Sequence, residues 1–406
     1  MLVIPDPVLG PWAKSFPTRV HGLPLSQVAG TDLRLSEFGG PVLTVHDDAL
    51  RHNERTVFDW VHAQGMHLAP HGKTTMSPAL WQRLLDAGAW GLTFATAWQA
   101  GVAIDAGART VLVANAIVDR GSVRALRAAL EADPALRVLV WVDALAAVGI
   151  LAEGMAGSAR SLEVLVELGG IGGRTGARDV DEAEAIAVAV AGAPSLRLAG
   201  AAGYEGPFGP ERSAAAVASV DAYLDRLAAL FDRIRPLLDD TFPAVITAGG
   251  SAWPDRVAAV LAPYAADADV VIRSGAFQIH DDGFYRRMSP FGAAVPTAPL
   301  RSAMHAWSHV VSQPEQGLAL IDAGRRDVPF DIDLPVPQSV DGAVTALNDQ
   351  HGFLRLADGA SAAVGDVVRL GLSHPCTAFD KWRVVPVIDD PDAVDPRVVG
   401  AVATLF

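Results

Sequence analysis

Residues 66–89, "MHLAPHGKTTMSPALWQRLLDAGA", contain one complete unit of the fold. The apolar run MHLAP reads as a short strand, and a turn around Lys73 follows it. From Ser77 onward the apolar residues recur at spacings of three and four, the period of an amphipathic helix. Ser77-Pro78 marks its start, because proline suits the first turn, where its missing N–H costs nothing.

The same alternation runs on through the chain. WGLTFA (90–95), RTVLVAN (109–115), LRVLVWVD (136–143) and LEVLVELG (162–169) come next. LRLAGAAGY (196–204), AVITAGG (244–250) and ADVVIRSG (268–275) complete the series. Between them lie Ala-, Leu-, Asp- and Arg-rich segments of helical period, such as DVDEAEAIAVAVAGA. Near-continuous apolar strands separated by helices indicate parallel strands buried on both faces. Counted from MHLAP there are eight, which predicts a closed (β/α)₈ barrel, a fold of about 250 residues. An open doubly wound sheet is the rival, but no Gly-x-Gly-x-x-Gly follows an early strand.

The barrel is expected over 41–295. From 296 to 406 the texture changes to short alternating runs broken by Gly, Pro and Asn-Asp, as in HAWSHVVSQPEQGLALIDAG, which predicts a mainly antiparallel β domain. Residues 1–40 are turn-rich and are expected to join it.

Composition narrows the partners. Half of the 406 residues are hydrophobic and 19% are charged, enough for a large core. A formal net charge of −14 argues against nucleic acid and against a polybasic membrane-surface role. The single cysteine excludes an internal disulfide framework and fits a reducing compartment. The opening MLVIPDPVLGPWAKSFP has no basic region followed by an apolar one, and no apolar run is long enough for a bilayer, so a cytoplasmic protein is expected.

In a barrel of this kind, reactive groups gather at the C-terminal ends of the strands. Lys73 follows strand 1, Arg174 follows strand 5 in ELGGIGGRTG, and Tyr204 ends strand 6. Gly249, Gly250 and Ser251 end strand 7, and Gly275-Ala276 ends strand 8. Glycines there let backbone N–H groups approach an anion, and the Ser251 hydroxyl adds a donor; a phosphate site after strands 7 and 8 recurs in this fold. Lys73 is either a solvated strand-end amine or a desolvated Schiff-base lysine opposite those loops. Arg174 is either a surface or cap residue or a guanidinium holding the phenolate side of a cofactor ring, and Tyr204 suits core and site equally. In LSHPCTAFDKW (372–382), His374 and Cys376 stand two apart and share a face if extended. Imidazole and thiolate suit zinc, and two protein ligands leave positions for water or substrate, as at a catalytic metal. A buried apolar filler is the plainer reading of the cysteine.

These motifs resemble those of the fold-type III pyridoxal-phosphate enzymes of the D-serine dehydratase and D-threonine aldolase group, relatives of alanine racemase. The resemblance is carried by APHGKTTMSP, GGIGGRTG, GYEG, AGGSAWP, VIRSGAF and SHPCTAFD, in order from about residue 70 to 380, and looks closest to the bacterial amino-acid deaminase branch. It implies that Lys73 forms the Schiff base with pyridoxal 5'-phosphate and that Gly250, Ser251, Gly275 and Ala276 hold the phosphate. Tyr204 and Arg174 would flank the cofactor, His374 and Cys376 would bind zinc or another divalent metal, and the protein would be a homodimer. The chain departs from the family at Gly275-Ala276-Phe277, where Gly-Thr-Tyr or Gly-Asn-Tyr is usual. Aldolase members place Asp at the position of Cys376, so cysteine tilts the metal toward zinc and the reaction toward dehydration. The implied activity is loss of water from a D-3-hydroxy amino acid, giving a 2-oxo acid and ammonia. Retro-aldol cleavage to glycine and an aldehyde is the alternative within the class. A non-enzymatic pyridoxal-phosphate carrier and a phosphate-sugar barrel without the cofactor are the alternatives outside it.

Overall fold

The computed structural model describes residues 1–240, 242–294 and 299–406. The expected boundary at 295/296 lies outside them. Two sheets organise the chain.

The first is an eight-stranded parallel sheet: β2 (His67–Leu68), β3 (Leu92–Phe94), β4 (Thr110–Ala116), β5 (Arg137–Val142), β6 (Leu162–Leu168), β7 (Leu196–Gly203), β8 (Val245–Ala248) and β9 (Asp269–Ile272). Each coincides with one of the eight apolar runs, β4 extending one residue past its run. Neighbours in sequence are neighbours in the sheet, and β9 pairs with β2. The ring closes between β2 and β3: the amides of Trp90 and Thr93 donate to the carbonyls of Leu68 and Pro70, each at 2.9 Å, and His71 bridges Thr93. The crossover helices are α2 (Pro78–Asp86), α3 (Ala97–Asp105), α4 (Arg120–Ala132), α5 (Leu145–Gly154), α6 (Val180–Ala191), α7 (Ala214–Ile234) and α8 (Pro254–Leu261). Several start where the sequence supplies a cap: the Asp179 side chain accepts the Glu182 amide and Ser213 accepts that of Ala216.

Strand alternation divides the barrel's apolar residues into two sets. Val111, Val138, Val164 and Ile246 face outward into the helix layer. Ala69, Leu112, Leu139, Leu165, Val245 and Val271 fill the interior, with Trp141 above them. The barrel is therefore packed through its middle, and its C-terminal mouth opens into a cavity.

The second sheet has nine strands: β1 (Val42–His46), β10 (Met304–Glu315), β11 (Leu318–Ile321), β12 (Val336–Pro337), β13 (Gly342–Leu347), β14 (Gly352–Leu356), β15 (Val367–Gly371), β16 (Val384–Ile388) and β17 (Val398–Ala403). Its pairings are antiparallel apart from β1 with β16. β1 pairs with β10 and β16, so the expected division at residue 41 runs just ahead of a strand of this sheet; α1 (Asp47–Ala63) then leads into the barrel. Residues of the first forty, among them Leu9, Phe16, Val28 and Leu33, form a buried cluster with Val384, Ile388 and Val398 of β16 and β17. The barrel mouth is tied to the sheet by the loop after β9, where Asp282 lies 3.1 Å from the buried His305 of β10. That loop continues into α9 (Phe284–Met288) and α10 (Phe291–Ala294), and α11 (Cys376–Phe379) follows β15. Among the described residues no helix is long and apolar enough to cross a membrane.

Candidate active site

The inward positions of the strands continue the period of two past the core layer, and there the side chains turn polar. Two residues beyond Leu165 lies Glu167, beyond Val245 lies Thr247, beyond Val271 lies Arg273 and beyond Ala69 lies His71. His71, Arg273 and Trp141 line the floor of a cavity of about 480 Å³ at the barrel mouth, and Glu167 and Thr247 support it through hydrogen bonds to Thr175 and Arg273. All ten residues singled out from the sequence (Lys73, Arg174, Tyr204, Gly249, Gly250, Ser251, Gly275, Ala276, His374 and Cys376) line this one cavity.

Arg273 anchors the floor. It is 1% exposed, donates to Thr247 Oγ1 at 2.5 Å and to the Gly203 carbonyl at 2.6 Å, and lies 4.7 Å from the Trp141 ring. Burial lowers its guanidinium to a pKa of about 10, still fully cationic at neutral pH. His71 is held well below the usual imidazole range, first by burial and then by the charges of Lys73, Arg273 and Arg174, so it is neutral. Glu167 is pushed up by burial and accepts the Thr175 hydroxyl at 2.8 Å. Trp141 Nε1, His71 Nδ1 and Arg273 Nε are buried without a protein partner among the described residues.

Lys73 sits in the turn between β2 and α2, within a single 3₁₀ turn (Gly72–Thr74). Gly72 is required there, since a Cβ would come within 2.7 Å of the Phe94 ring and 2.9 Å of Trp81 Nε1. Trp81 Nε1 also donates to the Gly72 carbonyl at 2.9 Å, so the turn carrying the lysine is clamped from below by α2. Across the cavity the Arg174 guanidinium stacks over the Tyr204 ring at 4.8 Å. Burial raises the Tyr204 phenol, which therefore stays protonated.

The anion-binding expectation needs one correction at β8. Buried Glu205 accepts the amides of both Gly249 (3.0 Å) and Gly250 (2.6 Å), so those N–H groups are engaged by the protein's own carboxylate. Both glycines line the cavity without being its free donors. The physical reason is the buried charge of Glu205, which requires strong donors in a low-dielectric site. Among the described residues, nothing accepts the amides of Ser251, Gly275 and Ala276, and these remain available to a ligand. Gly275 is fixed by close packing: a Cβ would lie 2.6–2.7 Å from His71 Cβ, N and O.

The other side of the cavity comes from the second sheet. Between β15 and α11, His374 adopts φ +64°, a left-handed conformation that L-residues with a Cβ seldom take. Its amide donates to Asp281 Oδ2 at 2.8 Å, while Asp281 Oδ1 accepts the amides of Gly283, Tyr285 and Arg286. One carboxylate thus joins the loop after β9 to the His374 turn. The His374 ring donates from Nδ1 to Asp331 Oδ2 at 2.5 Å, and Thr377 donates to the other oxygen of Asp331 at 2.6 Å. Cys376 Sγ is 3.3 Å from Thr74 Oγ1, one residue from Lys73, so the two domains meet beside Lys73. Burial works to raise the Cys376 thiol, but His374, Thr74 and the charge of Lys73 outweigh it and hold it below the usual thiol value. Burial likewise opposes charge on His374, yet Cys376 and Asp331 raise it to about 9. Tyr285, raised well above its ordinary value by burial and by the charge of Cys376, closes this end with Phe284 and Met288.

The sequence reading missed Arg273, Trp141, Glu167, Glu205, Tyr285, Asp281 and Asp331. The floor residues had a usable signal, namely strand parity with the last buried apolar residue. The others lie on loops, where no period applies.

A closed parallel barrel with a lysine at its first strand, joined to a β sheet that brings a thiol–imidazole pair to the same cavity, defines an alanine-racemase-like two-domain protein. Alanine racemase from E. faecalis shares the fold at a TM-score of 0.57 with 15% identity, over 84% of this chain and 92% of that one. Residues 303–388 match the model of the putative serine dehydratase domain family. D-threonine aldolase of an Arthrobacter species is 25% identical over 378 residues, covering 91% of this chain and 94% of the relative. The crystal structure of D-threonine aldolase from Filomicrobium marinum superposes with a TM-score of 0.77 at 26% identity, over 91% of this chain and 97% of that one. Two solved mutants of D-threo-3-hydroxyaspartate dehydratase share the fold. A histidine-to-alanine mutant has a TM-score of 0.72 at 21% identity (94% and 98% covered), and a cysteine-to-alanine mutant in a metal-free form has 0.67 at 20% (91% and 98%). In fold and sequence the chain is thus similar to the fold-type III proteins that include D-threonine aldolase and D-threo-3-hydroxyaspartate dehydratase.

Proposed function

We propose that the protein is a pyridoxal-phosphate- and zinc-dependent lyase that removes water from a D-3-hydroxy amino acid, giving a 2-oxo acid and ammonia. The observation that carries this reading is the meeting of Lys73 with a thiol–imidazole pair in one cavity, Cys376 lying 3.3 Å from Thr74.

The residues fit the cofactor. The cavity is large enough for a substituted pyridine with a phosphate arm, and the unpaired amides of Ser251, Gly275 and Ala276 form an anion site opposite Lys73. Arg174 and Tyr204 offer a flat cationic and aromatic wall, and the unpartnered Arg273 Nε lies beneath it. The metal is supported by donor chemistry. His374 and Cys376 form a nitrogen–thiolate pair of the kind zinc favours, and the solved mutants of the dehydratase relative replace a histidine and a cysteine, the latter in a metal-free form. Bound pyridoxal phosphate supplies an electron sink for charge developing at Cα, and zinc supplies Lewis acidity at the β-oxygen.

The chain's own groups do the rest. The Lys73 amine, once released by the substrate's amino group, takes the Cα proton as general base. His374 and Cys376 place the β-hydroxyl at the far side of the cavity, so the C–O bond breaks as the proton leaves Cα. Water departs, the resulting enamine is released, and its hydrolysis consumes one water and yields the 2-oxo acid and ammonia. From D-serine the acid is pyruvate. A non-enzymatic carrier would need neither a second domain nor a thiol–imidazole pair, and this chain has both.

The second reading is retro-aldol cleavage, favoured by the D-threonine aldolase relatives. There the β-hydroxyl loses its proton and Cα–Cβ breaks. Incubating metal-replete protein with D-serine and D-threonine and measuring 2-oxo acid and ammonia against glycine and aldehyde separates the two. The dehydratase reading expects 2-oxo acid from both substrates; glycine and acetaldehyde as the main products from D-threonine would replace it with the aldolase.

A further inference from the structure

We propose that Asp331 is the positioning residue of His374: it holds Nδ1 of the ring and thereby leaves Nε2 as the atom that binds metal beside Cys376. The inference rests on the metal reading of this pair and goes beyond it by assigning a residue that is not itself a ligand.

Two carboxylates from different loops divide the control of His374. Asp281 accepts its amide at 2.8 Å and holds the backbone in the left-handed conformation at φ +64°. That interaction sets where the side chain starts and says nothing of how the ring turns. Asp331 sets the ring, through the 2.5 Å bond from Nδ1. Asp331 is itself fixed, because Thr377, three residues beyond His374, donates to its other oxygen at 2.6 Å. Thr377 Oγ1 also lies 3.2 Å from the His374 carbonyl, closing a small ring of contacts around the histidine.

Asp331 is not placed as a further ligand. Among the described residues no group of three or more His, Cys, Asp and Glu side chains is arranged to hold a metal. A carboxylate on one imidazole nitrogen fixes the tautomer, with the proton on Nδ1, and makes the opposite nitrogen a better donor; removing such a partner typically weakens metal binding about 10–100-fold.

The test measures zinc affinity, by competition with a chromophoric chelator, for the full-length wild type, Asp331→Ala and Asp331→Asn. Reductive trapping of pyridoxal phosphate on Lys73 is followed in parallel. Asp331→Ala should bind zinc about 10–100-fold more weakly. Asp331→Asn should fall between it and the wild type, because the amide oxygen still accepts from Nδ1 but carries no charge. Trapping on Lys73 should be unchanged in both, as expected for an exposed side chain (40%) that does not line the cavity. If the alanine variant loses trapping as well, the isosteric asparagine variant carries the comparison. Wild-type affinity in Asp331→Ala, or in Asp331→Asn where that variant carries the comparison, overturns the role of Asp331 while the metal site stands. A wild type that binds no zinc overturns the metal reading and this inference together.

Discussion

The two ends of the cavity are built by opposite means. At the mouths of β8 and β9 the available groups are backbone amides of Ser251, Gly275 and Ala276, set by tight turns whose shape depends on having no side chain. At the far end the groups are side chains: His374, bonded to the carboxylates of Asp281 and Asp331, and Cys376, beside Thr74. A backbone site is sensitive to any added atom at its glycines. A side-chain site is sensitive to its supporting partners. Lys73 stands between them, on a turn clamped by Trp81.

The comparison breaks most visibly at its centre. Lys73→Ala should abolish reductive trapping of the cofactor and lower 2-oxo acid release from D-serine by about 10³-fold or more, the order expected when covalent anchor and base are lost together. Next comes the side-chain end alone. Cys376→Ala should lose zinc and lower turnover by at least about 100-fold, while trapping on Lys73 persists. Loss of trapping in that variant would show that the two ends are not separable. The backbone end should show the converse. Gly275→Ala puts a Cβ 2.6–2.7 Å from His71, which must shift. Overpacking of that kind costs about 1–3 kcal/mol and should appear as roughly tenfold weaker cofactor binding in a titration of the apoprotein, with zinc affinity unchanged. Ser251→Ala is the mildest probe. It removes one hydroxyl and keeps the amide, so cofactor affinity should fall only a few-fold, in line with about 0.5–1.5 kcal/mol for one hydrogen bond.

The same contrast explains what the sequence revealed. Every barrel strand was legible, because strands buried on both faces read as unbroken apolar runs that glycine and helical period separate. The glycine turns and Lys73 followed from their places at strand ends. His374 and Cys376 were visible because imidazole two residues from the chain's single thiol is an uncommon pair. The engagement of Gly249 and Gly250 by Glu205 was not visible, since nothing in GYEG says that the glutamate turns toward β8. Arg273 was within reach, two residues past the interior Val271 and therefore pointing inward. Asp281 and Asp331 were beyond reach: they lie 93 and 43 residues from His374, on irregular loops, and only the folded chain brings them to it.

The central claim is that a cofactor held at the backbone end and a metal held at the side-chain end act on one substrate. It is tested most directly by stripping metal from protein that still carries its cofactor, then returning zinc in steps while following pyruvate release from D-serine. Pyruvate release should vanish on stripping and return in proportion to zinc bound, with the cofactor on Lys73 throughout. Undiminished pyruvate release from the metal-free protein would contradict it.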